Sequence, residues 1–544
     1  MKALLLYPEF SSSGFWNYKD VCRLIGAKYP ASPLGMITMA ALLPTDWELR
    51  LLDLNTTTLH DREIDWADLV FIGGMLPQQS RFLRLIDRVH SRGKKVVVGG
   101  PDPTSQPEVY KAADFAVLGE AEASMGAFLA DLAKGATSGT YRAAERPDMA
   151  LSPVPRFDLL NFPNYLMIGI QVSRGCPFSC EFCDIIELYG REPRLKTPRQ
   201  IIKELDTLYA LGYRGHVDIV DDNFVGNKAK AKEILRALKD WSEDHGHPFF
   251  FSTEASINLA DDEELLRLME DLDFRYIFIG IESADDEVLS SMNKKQNLRR
   301  NIVEDLHKIY KHGMIVNGGF ILGSDSETSD SAKGMVDIIE RARIVMPMVG
   351  LLFALPNTQL ARRLREENRL LEGGSRQSEA LEATQVDQAT SGINFVTRRP
   401  RAEILRDFLH VIQSAYSTRS YFDRCLSMNR VLRIRYRYKP SWRRTVQYFG
   451  AFLKTVFKLG LRPSTGYYYW RNLAVVLFTR ISALESIVNC MAMYLHFRRQ
   501  TEFVSAILQK DIDLLEAHAS PDRQIMPAEA REAEALGCDL SHGR

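Results

Sequence analysis

Net charge is almost absent from this chain: 69 Lys and Arg stand against 70 Asp and Glu. No global signal for a polyanion follows, and no nucleic-acid partner is expected. Histidine is sparse, with 11 scattered residues, and His245-Gly246-His247 reads as an exposed turn, not a metal pair. The apolar run Ala3 to Leu6 is too short for a signal peptide and is broken by Pro8, so it reads as a first buried strand. No Gly-x-Gly-x-x-Gly occurs, which weakens a dinucleotide reading. Cysteine is scarce at 7 residues, and its clustering fits a reducing cytoplasm. What remains is ordinary globular composition, 45% hydrophobic over 544 residues, enough for about three to four domains.

Three of the cysteines, Cys176, Cys180 and Cys183, fall inside Ser173-Arg174-Gly175-Cys176-Pro177-Phe178-Ser179-Cys180-Glu181-Phe182-Cys183-Asp184. Thiolates suit iron-sulfur clusters or zinc, and a [4Fe-4S] cube wants one ligand for each iron. Three thiolates leave one iron open to bind and polarise a small molecule. The other cysteines, Cys22, Cys425, Cys490 and Cys538, are remote and belong to no motif. A zinc site would ask for a fourth Cys or His at short spacing, whereas the nearest downstream histidine is His216. Zinc and scattered core thiols stay as the plain alternatives.

The CxxxCxxC segment, with an aromatic before its last cysteine, resembles the cluster-binding motif of the radical S-adenosylmethionine (SAM) superfamily. The resemblance implies that the open iron chelates the methionine amino and carboxylate groups of SAM. One electron from an external donor such as flavodoxin or ferredoxin then cleaves SAM to a 5'-deoxyadenosyl radical. It also implies that the backbone of Phe182 contacts the adenine.

Residues 1–145 alternate short apolar runs with helix-length segments, at Ala3 to Tyr7, Leu49 to Leu54, Leu69 to Ile72, Val96 to Val98 and Phe115 to Leu118. This rhythm predicts a doubly wound, Rossmann-like parallel sheet. The runs end in Asp53 and Asn55, Gly73-Gly74, Gly99-Gly100-Pro101 and Gly119-Glu120, at the edge where open α/β sheets bind cofactors. Plain turn glycines would look the same. The helix opening Ser32-Pro33-Leu34-Gly35-Met36 and the two glycine turns resemble the cobalamin-binding domain that precedes many radical SAM domains. Gly74, Gly99, Gly100, Pro101, Gly119 and Glu120 are thereby implied as cobalamin contacts. No Asp-x-His-x-x-Gly occurs, and Asp102 stands where relatives often carry His, so no histidine ligand to cobalt is expected from this domain.

After a linker at 146–163, a second rhythm runs over 164–370, with strands expected at Met167 to Val172, His216 to Val220, Phe249 to Thr253, Tyr276 to Ile281, Ile315 to Leu322 and Val349 to Phe353. Six such units predict a partial (β/α)6 barrel with the cysteines at its carboxyl mouth. Polar residues at the strand ends would converge on one rim, able to grip ammonium and hydroxyl groups. Each alone could be a helix cap, Asp222 and Ser283 above all. By resemblance, Asp222 and Asn223 lie near the SAM methionine, Glu254, Glu282 and Ser283 take its amino group or ribose, and Gly323 ends the strand beside adenine.

Tyr189-Gly190-Arg191, Lys196-Thr197, the run Val220 to Asn227, Gly280-Ile281-Glu282 and Ala354-Leu355-Pro356 narrow the resemblance to the cobalamin radical SAM subgroup of the hopanoid C-2 methylases. The implied chemistry uses one SAM to methylate cobalamin and a second to abstract hydrogen from an unactivated carbon, which then receives the methyl group. The expectation is a C-methyltransferase acting on an apolar small molecule. Radical cyclisation or rearrangement, and a cobalamin or iron-sulfur sensor without turnover, are the other readings. The segment 371–519 is expected to be a basic, mainly helical extension. It carries apolar faces suited either to capping the barrel or to docking a cytoplasmic protein peripherally on a membrane. The tail 520–544 is polar.

Overall fold

The computed structural model describes residues 1–11, 14, 17–371 and 392–518. The tail 520–544, Cys538 and part of the extension lie outside the described residues. The first sheet is built from β1 (Lys2–Tyr7), β3 (Glu48–Asp53), β4 (Leu69–Gly73), β5 (Lys95–Gly99), β6 (Phe115–Leu118) and β7 (Gly139–Arg142), with β2 (Tyr29–Ala31) leaving it for a second sheet. Its order is β3-β1-β4-β5-β6-β7, and every pairing is parallel. Successive side chains of a strand point to opposite faces, and the apolar runs use this fully. Leu4 and Leu6 join Val70, Ile72, Val96 and Val98 in one core, while Ala3 and Leu5 join Phe71, Val97 and Phe115 in the other. Two cores on two faces are what a doubly wound sheet needs.

The second sheet is a curled parallel half-barrel of β8 (Tyr165–Ile170), β11 (Gly215–Ile219), β12 (Phe249–Glu254), β13 (Phe274–Glu282), β14 (Ile315–Leu322) and β15 (Met346–Leu351). These are the six strands expected from sequence, shifted by up to three residues. A seventh strand is added: β2 pairs with β8 through Tyr29↔Tyr165 and Ala31↔Met167. It extends the order to β15-β14-β13-β12-β11-β8-β2. Three residues with a central proline carry no strand signal, so only the tertiary fold reveals it.

Helices close the barrel. The Arg401–Ala415 helix packs on β15, and the long Leu484–His518 helix packs on Arg401–Ala415 and on Lys19–Cys22. The barrel and these helices share one continuous core. Buried Arg424 ties the layers together, donating to the carbonyl oxygens of Ile344 (2.9 Å) and Ala415. The Arg-Tyr run at 433–438 is an irregular segment beneath the barrel: the N–H groups of Arg437 and Tyr438 donate to Asp273, and the Arg275 guanidinium stacks 3.8 Å from the Tyr436 ring.

Candidate active site

The cysteine loop leaves β8 under tight control. Asp221, just past β11, accepts from the Val172 N–H (2.7 Å) and the Ser173 hydroxyl (2.6 Å), clamping the start of the loop to the neighbouring strand. The pair β9 (Ser173–Arg174) and β10 (Arg194–Leu195) then turns the chain. Gly175 sits at φ +94°, where a Cβ would meet the Gly190 carbonyl oxygen at 2.8 Å, so glycine is required. Cys176, Cys180 and Cys183 follow as free thiols. Burial pushes the Cys176 and Cys183 thiols up, which keeps them protonated until a metal takes the proton's place.

The loop is buttressed by a segment that the sequence reading passed over. Asn293 donates to the Ser179 carbonyl at 2.6 Å. The amide nitrogens of Gln296 and Asn223 lie 3.6 Å from Cys180 Sγ and 3.7 Å from Cys176 Sγ. Lys294 is buried against Glu282 at 2.6 Å, and its ammonium lies 5.9 Å from the Phe182 ring. Burial opposes the lysine's charge, but Glu282, and Cys180 and Cys183 when they are thiolates, hold its pKa above the ordinary value. Three soft donors with N–H groups aimed at two of them, and a buried cation alongside, suit an anionic iron-sulfur cluster. Among the described residues no three Cys, His, Asp or Glu side chains are grouped to hold a single metal ion.

Next to the loop the barrel mouth is acidic. Burial, with Asp222, Asp218 and Asp221 nearby, raises Glu254 to about 8. Burial and Asp221 raise Asp222 to about 7, and its Oδ2 has no hydrogen-bond partner. No ion pair to either carboxylate occurs among the described residues. A cationic ligand with several donors would supply what both lack. Asn223 is fixed through its Oδ1, which accepts from the Ser256 N–H and hydroxyl, both at 3.1 Å. Glu282 holds a left-handed backbone, φ +67°, unusual for a non-glycine residue.

Ser283 accepts from the Asp285 N–H at 3.1 Å, while the N-cap of the Asp286–Ser291 helix is Asp285. Gly323, at φ +112°, donates to both Glu327 carboxylate oxygens at 2.9 Å. Phe182 and Ser324 line a cavity of about 240 Å³ together with Met292, Leu352, Arg363 and Arg398.

Deeper in the barrel a polar chain runs from Asp218 through the Ser252 hydroxyl to His216 Nε2, the last step at 2.7 Å. Burial lowers His216 to about 3. The alternation His216, Asp218 against Val217, Ile219 is the signal that could have revealed it. Lys196, part of the family resemblance, forms a buried pair with Glu204 at 2.5 Å.

The glycine edge of the first sheet lies against this site. Arg174, two residues before Cys176, pairs with Glu120 at 2.7 Å and Glu122 at 2.8 Å, and Arg194 pairs with Glu120 at 2.6 Å. The Glu120 carboxylate is therefore committed to joining the two sheets. Gly100 has φ +98° and packs on the Gly74 backbone, where a Cβ would stand 3.0 Å from the carbonyl oxygen. A Cβ on Gly99 would meet the Val117 carbonyl oxygen at 2.9 Å, whereas one on Gly119, at φ +79°, would meet nothing within 4 Å. Pro101 opens the short Pro101–Ser105 helix. Asp102 is turned inward and caged by Tyr110, Gln106 (2.9 Å) and Gln79 (3.0 Å), so it presents nothing to this edge. The result is a ledge of backbone without a metal ligand, which fits a large group held by shape and backbone contacts such as cobalamin without a histidine.

A parallel half-barrel with a three-thiol bay at its mouth defines the class, and comparison with known proteins agrees. Residues 170–339 match the Radical SAM superfamily, and residues 358–510 match a domain of unknown function, DUF4070. The chain is 39% identical to an uncharacterized methyltransferase of Synechocystis, over 93% of this chain and 92% of that one. It is 36% identical to the hopanoid C-2 methylase of Rhodopseudomonas palustris, over 77% and 80%. Its fold matches the cobalamin-dependent SAM radical enzyme OxsB, solved with aqua-cobalamin and SAM, with a TM-score of 0.57 at 16% identity, over 98% of this chain and 83% of that one. The chain thus belongs to the radical SAM methyltransferase family that includes the hopanoid C-2 methylase, enzymes whose superfamily works with a [4Fe-4S] cluster and SAM.

Proposed function

We propose that this enzyme is a cobalamin-dependent C-methyltransferase that methylates an unactivated carbon of an apolar small molecule, lipid-like or polycyclic. The observation that carries the proposal is the buried Arg174 junction, which sets the cysteine loop directly against the glycine ledge. Methyl transfer between two cofactors needs both beside one substrate, and a closed junction excludes water from between them. In this reading residues 1–145 form the cobalamin domain, with the β2 segment as its tie to the barrel, residues 164–370 the SAM barrel, and 371–519 an extension.

When bound, the cluster with SAM would supply hydrogen abstraction, and cobalamin would supply the methyl group. The protein's own tasks are holding and shielding. Cys176, Cys180 and Cys183 hold the cluster, while Asn223 and Gln296 orient two of the sulfurs. Glu254 and Asp222 receive the ammonium and hydroxyl groups of SAM, with Glu282 and Ser283 at the same rim. Phe182 and Gly323 flank its adenine. Gly74, Gly99, Gly100, Pro101 and Gly119 form the cobalamin ledge. Glu120 acts from behind by fixing Arg174. The electron comes from an external donor of the flavodoxin or ferredoxin kind.

The test is anaerobic reconstitution with iron, sulfide and hydroxocobalamin, followed by turnover of methyl-labelled SAM with a reductant and an apolar substrate pool. Label retained in product, with deoxyadenosine and demethylated SAM both formed, supports the proposal. Deoxyadenosine with an unlabelled, rearranged product would replace methyl transfer by cyclisation.

A further inference from the structure

The stretch 442–481 breaks the ordinary rule for a helix on a protein surface. Of the seventeen large hydrophobic side chains exposed among the described residues, twelve lie in this stretch. In the Trp442–Thr455 helix they are Trp442, Val446, Phe449 and Leu453, at steps of four, three and four that keep one face outward. Phe457 and Leu461 continue the row past the end of that helix. The Gly466–Thr479 helix repeats the pattern with Tyr467, Trp470, Leu477 and Phe478, the last 91% exposed. Its inner face is already filled by Tyr469, Leu473 and Val476, and Asn472 donates to the Phe422 carbonyl at 2.7 Å. The outer apolar rows therefore contribute nothing to this chain's own core.

Charge identifies what they face. From Arg424 to Leu484 there are thirteen Lys and Arg and not one Asp or Glu. Some of these cations turn inward, as Arg424 and Arg437 do. Lys458 and Arg462 instead stand beside Phe457 and Leu461 and line a cavity of about 120 Å³ with Arg498 and Arg499. The last two carry Glu502 and Asp20 as partners, whereas Lys458 and Arg462 form no ion pair among the described residues. Outward aromatic rows flanked by unpaired cations, with tryptophan and tyrosine among them, have the composition of helices lying in a lipid interface. No helix among the described residues is long and apolar enough to cross a membrane.

We infer that the outer face of 442–481 seats on an anionic lipid bilayer, its aromatic rows among the headgroups and Lys458 and Arg462 over lipid phosphates. The inference uses no residue of the cysteine loop or the barrel mouth and stands whether or not the reaction is methyl transfer.

Flotation of the full chain with phosphatidylcholine vesicles, with and without phosphatidylglycerol, tests it. Binding is expected only with the anionic lipid and should weaken as salt rises. The double variant Phe457→Ser, Phe478→Ser should bind about tenfold more weakly or worse. Lys458→Gln with Arg462→Gln should lose about fivefold per cation. Both should keep the wild-type thermal midpoint and reconstituted iron content, which separates lost docking from lost folding. Equal binding to neutral vesicles, or unchanged binding by the serine variant, overturns the inference. So does a wild-type chain that binds neither vesicle but forms dimers that the serine variant dissolves, an outcome that would make the face a contact between copies.

Discussion

The carboxyl edges of the two parallel sheets are alike in architecture and opposite in electrostatics. On the first sheet the acids at the edge are already used: Asp102 is caged by Tyr110, Gln106 and Gln79, and Glu120 is held by Arg174 and Arg194. What faces outward there is glycine backbone. On the half-barrel, Glu254 and Asp222 are half-buried with no ion-pair partner among the described residues, and both are pushed toward the protonated state. Residue type does not make the difference, since both edges carry Asp and Glu. Pairing does. A neutral ledge suits a bulky ligand held by shape, and an uncompensated acidic pocket suits a cationic one such as SAM.

The strongest way to separate the two edges is to remove the thiols. Cys176→Ser, Cys180→Ser or Cys183→Ser should bring reconstituted iron to background and abolish SAM cleavage, while cobalt uptake persists on the untouched ledge. Metal quantification of the same sample reads both, and full iron retention in any of the three would break the cluster assignment.

Next comes the joint between the edges. Arg174→Met strands Glu122 in the interior and leaves Glu120 to Arg194 alone, a loss of about 3–5 kcal/mol by the usual cost of halving a buried pair, read by urea unfolding. Burial raises the Glu122 carboxyl, but the hydrogen bonds and charge of Arg174 outweigh it and hold the group below its ordinary value. A depressed folded pKa stabilises above the unfolded value and is lost as pH falls through the folded one. The wild type should thus lose stability on acidification, and the variant should lose less.

A smaller effect is expected at Glu254. Glu254→Gln removes a charge-assisted contact worth about 1.5–3 kcal/mol, roughly 10- to 100-fold in SAM affinity. With Glu254 raised to about 8, a bound cation must draw off its proton. Wild-type affinity should therefore fall as pH drops below that value, by up to about tenfold per unit, and the variant should respond less. Equilibrium dialysis across this pH range checks the sign.

The mildest test sharpens the ledge itself. Gly119→Ala adds a Cβ that meets nothing within 4 Å, so only its φ of +79° opposes it, at about 1 kcal/mol of stability. A loss of cobalamin affinity well beyond that would mean the ligand lies against this backbone.

Much of the fold was readable because apolar runs bounded by glycine announce buried parallel strands, as at Phe115 to Leu118 and Ile315 to Leu322, where expectation and structure coincide. The cysteine bay was readable because its spacing is local. Contacts made by residues far apart in sequence were not. Glu120 looked like a free polar contact until Arg174 appeared beside it, more than fifty residues on. Lys294 and Gln296 sit in a polar run without motif or period, and only the return of the chain after β13 brings them under the cysteine loop. Exposure was equally hidden: the apolar rows of 442–481 read as helix faces, and nothing in their spacing says which side is covered.

The small strand β2 has a consequence for how the chain comes to be folded. Tyr29 must wait for Tyr165, so during synthesis the barrel's edge partner emerges long before the strand it joins. It is threaded between β1 and β3, which can pair at once with each other. The early sheet then forms with a loop held in reserve, and the barrel edge is sealed only when that loop is captured. Such distant pairing is slow. Without it, β8 would present a row of open backbone groups to any passing strand. Separating the two sheets into independent fragments should therefore yield an aggregating barrel, and adding the first fragment in trans should rescue it.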